Sequence, residues 1–86
     1  MSAETSVIGS YARAFERFLD ALERRYKRRQ KASERALASV LAIDKADPQY
    51  VRVVRSYEVT HARAKEARLV LNAALKAFDD AEKEAR

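Results

Sequence analysis

After Gly9 the chain runs to Arg86 with no further glycine and a single proline, Pro48, so it has one clear place to reverse direction. Proline disfavours helical geometry in the residue before it and suits the first position of a new helix. Asp47 then stands where an N-cap is needed, with its carboxylate at the positive end of the helix dipole. The segment Ile43-Asp44-Lys45-Ala46-Asp47-Pro48 therefore divides the chain into two arms. At 86 residues there is room for one domain. A chain this short buries only roughly 60–65% of its unfolded surface. It has no cysteine, so neither a disulfide nor a thiolate metal site can reinforce that core.

Both arms carry helical periodicity. In the first, Tyr11, Phe15, Phe18, Leu22 and Tyr26 recur at steps of three and four, and the pattern resumes at Leu37, Val40 and Leu41. Nothing between them breaks a helix, although Arg29 and Ser33 fall where core residues belong. One long helix with a polar waist is expected. It should begin between Thr5 and Tyr11, with Ser6 or Ser10 as its cap and the leading MSAET frayed. In the second arm Tyr50, Val54, Tyr57, His61, Ala64, Arg68, Leu71, Leu75 and Phe78 alternate steps of four and three. That alternation marks a coiled-coil seam. The pattern frays in the charged tail from Glu82.

A short connection makes two long helices antiparallel neighbours. The expected fold is all-α: a two-helix, coiled-coil-like hairpin over residues 1–86, completed by oligomerisation or by a partner. Helix 1 should span about 7–43, the bend 44–48 and helix 2 about 48–82. No sequence repeat relates the arms.

Catalysis is not expected. The chain has no glycine-rich phosphate loop, no H-E-x-x-H and no calcium-loop spacing. Its single histidine and lack of cysteine leave few nucleophiles or ligands, so no metal, cofactor or small-molecule substrate is inferred. Most carboxylates have a basic neighbour at helical spacing, as in Asp20 with Arg24, Glu23 with Lys27 and Asp79 with Lys83. His61 is expected on the seam, hydrogen-bonded across the waist to residues near 31. There it could set register together with Arg29 and Arg68. No apolar run reaches the roughly 18 residues of a membrane span, and the N-terminus lacks a signal-peptide pattern. A cytoplasmic protein is expected. Arginine outnumbers lysine 12 to 6, which points towards a bacterium with a GC-rich genome.

The net charge of +5 sits in one dodecapeptide: residues 24–35 carry seven basic groups and one acidic. Arg24, Arg28, Lys31 and Arg35 share one side, turned away from Phe15 and Leu22, and form a candidate anion-binding row. No aromatic interleaves with that row and helix 2 does not obviously extend it, so a solvated outer face is the first expectation. Contact with an acidic protein, a nucleic acid or an anionic membrane surface is the alternative.

The open end of the hairpin is the strongest candidate site. Residues 7–22 read VIGSYARAFERFLDAL and residues 67–78 read ARLVLNAALKAF. Successive helical side chains point about 100° apart, so Leu69, Val70 and Leu71 cannot all face helix 1. Phe15, Phe18, Leu22, Leu71, Leu75 and Phe78 are expected as the inner layer there. Tyr11, Leu19, Leu69 and Val70 complete the candidate partner-binding set, with Leu19, Leu69 and Val70 facing outward.

Asp47-Pro48-Gln49-Tyr50 at the bend, followed by the apolar spacing Val54, Tyr57, Leu71 and Leu75, resembles the needle co-chaperones of bacterial type III secretion. The needle subunits are a more distant match. The resemblance spans about residues 36–80, while the basic segment 24–35 departs from the family pattern. It implies a helix–turn–helix shape and a role in holding an aggregation-prone export substrate together with a second, repeat-type chaperone. A protein-binding module, of secretion-chaperone or small assembly-factor type, is thus the leading expectation. Nucleic-acid association through the basic face comes second, and an enzyme assembled between two helical chains third.

Overall fold

The computed structural model describes residues 3–85, with side chains described from Tyr11 to Glu84. It contains two helices, α1 (Ala3–Ala42) and α2 (Tyr50–Ala85), packed against each other as a hairpin. The ring of Phe15 stacks on that of Phe78 with centroids 5.1 Å apart, so the helices run antiparallel. Moving one residue up α1 then moves one residue back along α2. The molecule measures 70 × 18 × 13 Å. Its smallest dimension is one helix diameter, so the hairpin is a single layer with two long flanks.

The helices outrun their expected ends. α1 starts at Ala3, ahead of the expected window, so Ser6 and Ser10 lie inside it and not at its cap. The early residues contain nothing that forbids helix, and Gly9 is tolerated at a cost of about 1 kcal/mol. Of the segment expected to fray, Met1 and Ser2 lie outside the described residues, while Ala3, Glu4 and Thr5 are helical. At the other end α2 continues through the charged tail to Ala85.

Two aspartates build the bend. The Ala46 N–H donates to Asp44 Oδ1 at 2.9 Å, and the Asp47 N–H donates to the Asp44 carbonyl at 3.0 Å, closing one turn. The Gln49 N–H then donates to Asp47 Oδ1 at 2.8 Å, which is the capping bond expected of Asp47. Helix 2 nevertheless begins at Tyr50 and not at Pro48. The Tyr50 N–H reaches back only three residues, to the Asp47 carbonyl at 3.0 Å, so Pro48 and Gln49 belong to a tighter lead-in turn.

Buried and half-buried side chains trace the seam between the helices. On α1 they are Phe15, Leu19, Leu22, Tyr26, Arg29, Ser33, Ala36 and Val40, at alternating steps of four and three that Ile43 continues just past the helix end. On α2 the partners are Tyr50, Val53, Tyr57, Thr60, Ala64, Ala67, Leu71, Ala74 and Phe78, with Val54 half-buried beside them. A third of the expected α2 seam, three positions of nine, is therefore one residue out. Tyr50, Tyr57, Ala64, Leu71 and Phe78 belong to both phases, but Thr60, Ala67 and Ala74 turn inward where His61, Arg68 and Leu75 were expected. The physical reason is size and charge: the observed phase leaves His61 and Arg68 in water and lets small side chains bring the backbones close. On α1 the same choice turns Leu19 inward and leaves Phe18 51% exposed, the reverse of the sequence expectation.

The resulting core is thin. Its buried apolar members are Leu22, Ala64 and Ala67, and Ser33 is buried among them. No side chain among the described residues is fully enclosed.

Candidate functional site

The layer presents two different flanks. On one, Tyr26, Ser33, Leu37, Tyr57, His61 and Ala64 line an open groove of about 470 Å³ together with Gln30, Glu34, Lys65 and Arg68, charges of both signs. His61 Nδ1 and Ser33 Oγ lie 3.4 Å apart, a hydrogen bond whose donor is set by the imidazole tautomer. The imidazole also stacks on Tyr57 with centroids 5.5 Å apart. The expected bond across the waist is therefore present, although His61 sits beside the seam and not in it. Thr60 Oγ1 donates to the Tyr57 carbonyl at 3.0 Å, so this polar level has its bonds made. No buried side-chain nitrogen or oxygen among the described residues lacks a partner.

The opposite flank is cationic. Arg25, Arg28, Arg29 and Arg63 line an open groove of about 440 Å³ together with Ala32 and Thr60. The groove continues towards the open end past Leu22, Glu66, Ala67 and Val70. Seven residues make two turns of a coiled coil, so Phe18 and Tyr11, at seven and fourteen residues before Arg25, lie on the same flank. Phe18 is 51% and Tyr11 72% exposed. This flank thus passes from aromatic and aliphatic at the open end to four guanidinium groups at mid-length. The ion pairs among the described residues are Lys27–Glu23 at 3.2 Å and Lys83–Asp79 at 3.4 Å, and neither involves these arginines.

The expected anion-binding row is only partly drawn into this site. Arg24, Arg28, Lys31 and Arg35 are all exposed, as expected of an outer face. Arg28 alone of the four reaches the cationic groove, while Arg24 and Arg28 also border a shallow hollow with Ala21 and Lys27. Arg24 does not pair with the Asp20 carboxylate; its Nε donates to the Asp20 carbonyl at 3.4 Å. The sequence pattern alone does not single out Arg25 or Arg63. A seam read through Thr60 and Ala67 would have placed Arg63 between them on one flank and shown that α2 does extend the basic surface.

At the open end Phe15, Leu19, Leu71 and Phe78 are half-buried and Leu22 is buried. Phe18 and Leu75, expected inside, are exposed; Leu69 and Val70 are exposed as expected. Besides its stack on Phe78, Phe15 meets Phe18 with the rings tilted by 56° and centroids 6.0 Å apart. Among the described residues no group of three or more His, Asp or Glu side chains could hold one metal ion. No helix there is long and apolar enough to cross a membrane. No protein-family model, curated protein or solved structure matches the chain.

Proposed function

We propose that the chain is a protein-binding helical module, not an enzyme, with the open end of the hairpin as its docking surface. One observation carries this reading. The chain exposes 7357 Å², whereas a compact monomer of 9.8 kDa exposes about 5,200 Å². The excess, roughly 2,000 Å², is what one chain contributes to a large protein–protein interface. Tyr11, Phe18, Leu69, Val70 and Leu75 are exposed towards the open end, which supports a contact there, while Leu41 and Val51 are exposed near the bend and Leu37 and Val59 between.

The similarity in length, helix–turn–helix shape and acidic bend to the type III secretion needle co-chaperones supports a narrower version. In that version the open end holds an aggregation-prone export substrate beside a repeat-type chaperone, in the cytoplasm of a bacterium. A second reading, contact with a nucleic-acid backbone, is favoured by one observation: Arg63 of α2 shares a groove with Arg25, Arg28 and Arg29 of α1.

The test is photo-crosslinking in the cells that make the protein, with the cross-linker at position 69 and a control at position 45 in the bend. Discrete protein adducts are expected from position 69 and none from position 45. Replacing Leu69 and Val70 by serine should leave circular dichroism unchanged and weaken assembly in light scattering. No discrete adduct from position 69 would sink the reading.

A further inference from the structure

We propose that the occupant of the cationic flank is a second copy of this chain, laid antiparallel so that each open end covers the other's arginines. This rests on the protein-binding reading above and names its partner. The first argument is charge. Residues 24–35 and 55–68, which form the middle of the hairpin, hold eleven basic and three acidic groups. Residues 3–23 and 72–85, which form the open end, hold four basic and eight acidic groups. The chain therefore carries its own complement, displaced along its length.

The second argument is where the carboxylates stand. Asp80 is fourteen residues after Glu66, and Glu84 fourteen after Val70. Four coiled-coil turns separate each pair, so both carboxylates project from the flank that Glu66 and Val70 line. In the register set by Phe15 and Phe78, Asp80 lies level with Arg13, and Arg63 lies level with Gln30. The two levels are about 25 Å apart along the axis. A two-fold axis lying between the layers, across the helices and midway between those levels, passes beside Phe18, Ala21 and Val70. That operation sets Asp80 and Glu84 of each copy over the arginine level of the other and meets apolar surface at its centre. An isologous contact must be self-complementary in this way.

Shape and area fit as well. Ala21, Ala73 and Ala77 keep the open end of the flank low, so helices can approach closely. Stacking two single layers yields a four-helix arrangement, in which the exposed Phe18 and Val70 become core. A dimer burying about 1,000 Å² per chain would be of ordinary size and would use only part of the excess area.

Sedimentation velocity on the full chain tests this, with circular dichroism alongside to confirm that helicity is retained. Wild type should dimerise, less so at high salt. Arg28→Glu with Arg63→Glu should weaken the dimer about tenfold or more, and so should Asp80→Lys with Glu84→Lys. All four changes together should restore affinity to within about threefold of wild type, because only the sign of each pair has been exchanged. A dimer indifferent to both reversals, or not rescued by their combination, overturns this arrangement. A wild type that stays monomeric but still cross-links to another protein from position 69 overturns the dimer and spares the protein-binding reading. A monomer with no adduct removes both. Tight, salt-sensitive binding of a single-stranded RNA oligomer by a monomeric wild type, lost on the arginine reversal, assigns the groove to nucleic acid instead.

Discussion

The two flanks of this hairpin share one seam and two backbones, yet they are finished in opposite ways. On the histidine flank, Ser33 and His61 share a hydrogen bond, His61 stacks on Tyr57, and the basic Lys65 and Arg68 stand in the same groove as Glu34. On the other, Arg25, Arg28, Arg29 and Arg63 converge with no carboxylate in ion-pair range among the described residues. The difference teaches how to locate function in a molecule this small. Polar groups that close on themselves serve the fold. Like charges gathered without partners oppose it, so they mark a surface that something else completes.

The largest effect should come from the seam that both flanks depend on. Among the described residues Leu22 is the one large aliphatic side chain that is buried, at 9% exposure, and Leu22→Ala should cost about 2–4 kcal/mol. In a core this thin that should abolish cooperative melting near room temperature in circular dichroism. A melting curve close to wild type would show that the seam is not what holds the flanks together.

A smaller, asymmetric effect is expected on the histidine flank. His61→Ala removes both the Tyr57 stack and the partner of a buried hydroxyl, and should cost about 1–2 kcal/mol. Ser33→Ala leaves an imidazole that can turn to water, and should cost under about 1 kcal/mol. A double-mutant cycle by thermal melting measures their coupling. Equal costs with no coupling would mean that the 3.4 Å contact contributes nothing to stability.

The smallest effect should fall on the cationic flank. Arg63→Gln, measured at high dilution, should shift stability by less than about 0.5 kcal/mol, and upwards, since it removes one of four neighbouring like charges. Added salt should raise the melting temperature of wild type more than that of the variant, because screening does part of what the substitution does. If Arg63→Gln destabilised as much as His61→Ala, the contrast between the flanks would disappear.

Much of the fold was legible in the residues. The bend could be read from Asp47-Pro48, because proline and its capping aspartate act through local sterics and a bond two residues away. The polar waist at Arg29 and Ser33, and the bond from His61 across it, could be read from spacing and from folding the chain about its bend. Asp44 was less visible. Its turn is built from bonds that many bend sequences could make.

The candidate site was legible only in part, and the error has a single source. Two seams on α2 share Tyr50, Tyr57, Ala64, Leu71 and Phe78 and differ in which neighbour turns inward. Hydrophobicity favours Leu75 over Ala74, so a reading of α2 alone selects the phase containing His61, Arg68 and Leu75. The folded hairpin selects Thr60, Ala67 and Ala74. That choice exposes Leu75, hides Leu19 in place of Phe18, and carries Arg63 round to join Arg25, Arg28 and Arg29.

The sequence by itself thus determined that this protein is two long helices, where they part and which five positions of α2 must meet α1. Those outcomes depend on local backbone preference and on a repeat close to the helical period. Only the tertiary structure decided which side of that repeat is pressed inward, and with it which arginines share a groove. That decision is made by the opposing helix. The energy of a small or a large side chain at a seam position depends on what stands across from it, and no single helix contains that information.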